Sequence, residues 1–195
     1  MYDSKTMEKE TKVRRTDIIK DMTANALIAA LYAAFTIAIA PISYGPIQFR
    51  FSEILVLLCF FNKKYTIGLT LGCLLANLAS TVGPLDIIFG TLTTLVSCLI
   101  MIVYSKFVKN LFSAGFIPCI ANAIVIPLVI YYSCIATPEA FELNPVSYFT
   151  MFGGVFLGEF VCIICVGYPL IMVLSKKNQS FYKSILATRN TDFKW

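Results

Sequence analysis

Apolar residues run in six blocks along the chain, at about 22–41, 50–61, 65–81, 85–107, 111–135 and 147–174, with short polar breaks between them. A membrane-crossing helix needs about 20 predominantly apolar residues, and most of the blocks approach or exceed that length. The block at 50–61 is shorter and reads as a half-helix or a re-entrant piece by length alone. The sixth block is long and is interrupted by Gly153, Gly154 and Gly158.

Charge decides the number of crossings. If all six blocks cross, the N-terminal stretch, the turns at 62–64 and 105–110 and the C-terminal stretch share one side. That side then carries 15 of the 16 Lys and Arg, which makes it the cytoplasm. Five crossings would separate the termini and lose the pattern. The sequence therefore predicts an all-α integral membrane protein with six transmembrane helices and both termini cytoplasmic. Its parts are a charged tail at 1–21, a membrane domain at 22–175 and a basic tail at 176–195. The tail at 1–21 lacks an apolar core followed by a small-residue cleavage site, so no signal peptide is expected.

Composition agrees. The chain of 195 residues is 58% hydrophobic, against roughly 45–50% in a soluble domain. The net charge of +5 sits in tails and turns and forms no patch for nucleic acid. Histidine is absent, which removes the usual neutral-pH proton shuttle and most transition-metal sites. All seven cysteines fall within apolar blocks, where Cys behaves as a small hydrophobe. Cys162 and Cys165 form a CxxC without a second ligand pair, so no metal or other cofactor is expected.

Four charges stand apart from the tails, the turns and the acidic loop holding Glu139 and Glu142. These are Arg50, Glu53, Asp86 and Glu159. In the six-helix topology each lies at the outer surface or no deeper than mid-membrane. A charge near the bilayer centre costs at least ~2.5–3.5 kcal/mol, so such groups face a cavity or a partner. One Arg and three carboxylates could share an outward-facing pocket, joined by the amides of Gln48, Asn77 and Asn122 and by the aromatic faces of Tyr32, Tyr44, Tyr131 and Tyr148. Plainer roles stand beside this one. Arg50 and Glu53 could simply pair at i and i+3. Asp86 could cap its helix. Glu159, Asn77 and Asn122 could be interhelical hydrogen-bonding groups.

Small residues recur every four positions in the first block: Ala26, Ala30 and Ala34, with Ala29 and Ala33 as a second stripe. Such spacing lets another helix approach closely, either from the same chain or from a separate membrane subunit. The sequence has no GxxxxGK[ST], HExxH or GxSxG motif, so no nucleotide hydrolysis or enzymatic activity is expected of it. The chain is also short for a transporter built of two inverted halves. A binding unit without an engine points to a subunit of a larger machine.

Four stretches, YGPIQFRFSEIL (44–55), LGCLLANLAS (71–80), DIIFGTLTTL (86–95) and FLGEF (156–160), resemble the QueT family. The likeness covers most of residues 22–175. Members are substrate-binding S components of energy-coupling factor (ECF) transporters for queuosine precursors. The resemblance implies a multi-pass protein of a prokaryotic plasma membrane with six helices and an outward pocket. It implies docking through first-helix alanines, here Ala26, Ala30 and Ala34, onto a membrane coupling subunit driven by two cytoplasmic ATPases. The resemblance further implies an S component that topples in the membrane and carries its substrate inward. The implied substrate is a 7-deazaguanine: the aminomethyl base preQ1, the cyano base preQ0, or queuine. Its guanine-type edge presents two donors beside a carbonyl, which a carboxylate and an Arg or amide can meet. On this likeness Glu159 reads the base edge and Asp86 or Glu53 lies near the substituent. An S component for another vitamin-like solute, a stand-alone carrier and an intramembrane enzyme are the competing readings.

Overall fold

The computed structural model of the protein describes residues 4–43, 48–80, 83–134 and 145–177, and all regular structure among them is helical. Helix α1 spans Ser4–Ala38. It starts well inside the charged stretch, because that stretch is rich in Lys, Glu and Arg, which favour helix. No Gly or Pro interrupts the chain before Pro41. A single turn, Ala40–Ser43, follows it.

Helix α2, Phe51–Phe61, opens as a 3₁₀ helix over Phe51–Leu57 and ends as an α-turn at Leu58–Phe61. Asn62 accepts a hydrogen bond from the Lys64 amide and starts the turn into α3, Thr66–Asn77. Helix α4 is Pro84–Phe107, with Pro84 at a position where its missing N–H costs nothing. Helix α5 is Phe116–Cys134, preceded by the short Leu111–Ala114 turn that Asn110 caps. Helix α6, Pro145–Glu159, passes through a π-helical stretch at Phe160–Gly167 into α7, Tyr168–Lys177. The loop residues Tyr44, Gly45 and Pro46, the acidic loop with Glu139 and Glu142, and the C-terminal tail from residue 178 lie outside the described residues.

Four stretches are long and apolar enough to cross a membrane: Arg14–Ala38, Pro84–Phe107, Leu111–Ser133 and Pro145–Ser175. Away from their charged ends such as Arg14, Asp17 and Lys106, their outward side chains are mostly apolar, including Leu27, Ile88, Leu99, Ile124 and Val173, as expected of surfaces facing hydrocarbon. The shorter α2 is largely interior, with Val56, Leu57, Cys59 and Phe60 buried.

The helices pack in a closed order: α1 against α3, α3 against α4, α4 against α5, and α5 against α6. Helix α2 closes the ring between α1 and the π-helical stretch. Glycines set the α1–α3 spacing. A Cβ at Gly68 would lie 2.6 Å from the Asn25 carbonyl oxygen, and one at Gly72 would lie 2.7 Å from Tyr32 Cβ. The Asn25 side chain also accepts the Gly68 amide. At one end of this seam Lys64 pairs with Asp21 at the surface, tying the α2–α3 turn to α1. The apolar core gathers Ile28, Leu57, Leu69, Met101 and Ile163, and a smaller cluster of Ala123, Ile126 and Val155 joins α5 to α6.

Candidate functional site: a buried polar cluster

Polar side chains converge in this apolar bundle. Gln48, Arg50, Glu53, Asn77, Asp86, Asn122 and Glu159 are each no more than 2% exposed. They come from the segment before α2, from α2 itself and from α3, α4, α5 and α6, so most of the bundle contributes.

The local reasons can be read helix by helix. Arg50 stands at the N-cap position of the 3₁₀ turn, and Glu53 lies in its first turn. A 3₁₀ helix superposes residues three apart, so both face the interior. Asp86 lies in the first turn of α4, where the helix dipole favours a carboxylate. Its Oδ2 accepts the Ser80 hydroxyl at 2.5 Å and lies 3.7 Å from Arg50 Nη2. Asn77 Nδ2 donates to the Asp86 backbone carbonyl at 3.2 Å, holding the end of α3 to the start of α4. Asp86 thus serves the helix start and the ion pair together, and Arg50 reaches across to α4.

Glu53 Oε1 accepts the Tyr32 hydroxyl at 2.5 Å. One turn along α1, the Thr36 and Ser52 hydroxyls meet at 2.6 Å. On α6, Glu159 Oε1 accepts Asn122 Nδ2 at 3.0 Å. Asn122 also lies by the Glu53 carboxylate, so one amide stands between two acids. Thr94 donates to Cys73 Sγ at 3.2 Å, and Asn77 Nδ2 lies 3.4 Å from the same sulfur.

Several atoms at the centre have no hydrogen-bond partner among the described residues: Glu53 Oε2, Glu159 Oε2, Asn77 Oδ1, Asn122 Oδ1 and both polar atoms of Gln48. The formal charge of the cluster is one Arg against three carboxylates, or −2. The interior is therefore rich in acceptors, and it suits a partner that carries N–H donors or a positive charge.

All seven polar residues singled out by the sequence are buried. Of the tyrosines, Tyr32 is tied to the cluster by its hydroxyl, as well as offering a ring. Tyr148 instead donates to the Ile124 carbonyl on α5, and Tyr131 packs edge-on against Tyr132. Tyr44 lies outside the described residues. The alanine stripes separate: Ala29 is buried on Gly72, whereas Ala26, Ala30 and Ala34 are exposed.

Two glycines outside the polar pattern of the sequence also shape the site. A Cβ at Gly158 would lie 2.1 Å from the Gln48 carbonyl oxygen, so the segment before α2 rests directly on α6. A Cβ at Gly90 would lie 2.7 Å from Asn77 Nδ2 and 3.1 Å from Asp86 Oδ1. The spacing of Thr91, Thr94 and Ser97 along an otherwise apolar helix was a sequence signal for a polar interior face.

A family model described as QueT transporter matches residues 22–176. The chain is 36% identical over 149 residues to the curated protein "Queuosine precursor transporter QueT" of Lactococcus lactis subsp. cremoris (strain MG1363), an alignment covering 73% of this chain and 85% of that relative. No solved structure matches the chain.

Proposed function

The chain belongs to the QueT transporter family and is a multi-pass protein of the cell membrane, and from that premise we propose that its buried polar cluster captures a 7-deazaguanine precursor of queuosine. The observation that carries this reading is the excess of unpartnered acceptors around Glu53, Asn122 and Glu159. A buried polar atom without a partner costs about 1–3 kcal/mol, so the cluster is built to receive a group that supplies donors.

A 7-deazaguanine presents a ring N–H and an exocyclic amino group on one edge. Glu159 accepts from that edge, with Asn122 holding its other oxygen. Glu53 faces the substituent, where an aminomethyl group brings a positive charge. Gln48 serves the base carbonyl. Arg50 and Asp86, which face each other across the start of α4, hold the segment at 48–50 in place, and Asn77 buttresses that corner.

On this reading the protein is the S component of an ECF importer. It crosses the membrane six times with both termini in the cytoplasm, a topology favoured by the placement of 15 of its 16 Lys and Arg. The exposed Ala26, Ala30 and Ala34 form the face that meets the membrane coupling subunit, and two ATPases supply the energy.

Calorimetric titration of the purified protein with the aminomethyl base, the cyano base, queuine, guanine and riboflavin tests the capture role. Sub-micromolar binding of a 7-deazaguanine, with guanine weaker and riboflavin silent, is the expected result. A folded sample that binds none of the 7-deazaguanines would remove the assignment.

A further inference from the structure

We propose that Tyr32 is a positioning residue which keeps Glu53 open toward the bound ligand. The inference rests on the binding reading above and assigns a specific role to a helix whose other face is exposed.

Tyr32 is 1% exposed and lies 21 residues from Glu53, on a different helix. Its place is fixed from three sides. Gly72 of α3 packs against its Cβ. Asn25 bonds the Gly68 amide about two turns earlier on α1, and Thr36 meets Ser52 one turn later. Helix α1 is therefore registered against both α2 and α3, and the Tyr32 hydroxyl is delivered to Glu53 Oε1.

The consequence lies at the second oxygen. Oε2 of Glu53 is buried without a hydrogen-bond partner among the described residues. Arg50, three positions back on the same 3₁₀ turn, is within electrostatic reach of this carboxylate, beside which the Asn122 amide and the Thr94 hydroxyl also lie. A guanidinium engages a carboxylate best with both oxygens together. Tyr32 occupies one oxygen and so opposes that forked pairing. Without the hydroxyl, Glu53 turns onto Arg50, which closes the acceptor and draws Arg50 from Asp86.

The test is Tyr32→Phe, which keeps the ring and removes the hydroxyl. Three readouts are taken: the dissociation constants of the aminomethyl and cyano bases, the thermal unfolding midpoint, and the infrared carboxyl bands of the ligand-free protein, with Glu53→Gln assigning the Glu53 band. The expected result is a loss of affinity of about tenfold for the aminomethyl base, a smaller loss for the cyano base, and a shifted Glu53 band. Glu53→Gln in the Tyr32→Phe background should add much less than it does alone, because the two residues act as one unit. Equal losses for both bases together with an unmoved Glu53 band would overturn the proposal and leave Tyr32 a packing residue. So would an unchanged affinity. If the parent protein binds no 7-deazaguanine, the substrate reading fails, and the infrared comparison still decides whether Tyr32 holds Glu53.

Discussion

Glu159 carries the sharpest single-residue consequence. It is fully buried, with one oxygen on Asn122 and the other unpartnered. Glu159→Gln keeps the volume but replaces one acceptor with an NH₂ donor. Affinity for a guanine-edged base is expected to fall at least about tenfold in the titration, since a facing pair of donors is left buried and unmatched. Glycine gives a second contrast. Gly158→Ala would force the Gln48 backbone off α6, so binding should weaken strongly, whereas Gly153→Ala meets nothing within 4 Å and should bind as the parent does. Equal behaviour of the two variants would show that the 48–50 segment does not shape the site.

Helix α1 has a buried face and an exposed face, and each can be altered separately. Its inner face holds Ala29, Tyr32 and Thr36 against α2 and α3, and its outer face presents Ala26, Ala30 and Ala34. Ala30→Leu or Ala34→Leu is expected to leave calorimetric affinity within about twofold of the parent, because these positions touch no part of the site, and to abolish uptake in cells carrying the coupling module. Ala29→Leu is expected to lower the unfolding midpoint instead, since the backbone of Gly72 lies against it. The other irregular element is the π-helical stretch after Glu159. It brings Gly167 under Ile54 of α2, where a Cβ would lie 3.0 Å from Ile54 Cγ2, so α6–α7 and α2 share one boundary around the cluster.

At the scale of the molecule, the proposed topology predicts sidedness. In a variant without native cysteines, Lys109→Cys should react with a membrane-impermeant maleimide only after the cells are opened, and so should a Cys introduced at Lys63. Labelling of either in intact cells would reject a cytoplasmic placement of these turns. The bundle is closed by α2, which, like the 12-residue α3, is too short to cross on its own. Its length suits its place, since it is buried largely within the ring and need not match the bilayer alone.

Much of this was legible in the chain. Helix formation rests on contacts four residues apart, so long apolar blocks determined where helices and lipid-facing surfaces lie. The cost of charge in hydrocarbon marked Arg50, Glu53, Asp86 and Glu159 as inward-facing before any fold was known. Pairing between helices is different, because it depends on rotation and register set by packing over the whole bundle. The sequence therefore determined which residues would be buried and polar, but left open whether Arg50 would pair with its neighbour Glu53. Only the tertiary structure placed Arg50 beside Asp86, gave Glu53 to Tyr32, and turned Gly158 into the seat of the Gln48 backbone. Each of these contacts joins segments distant in sequence, where no local periodicity can specify the partner.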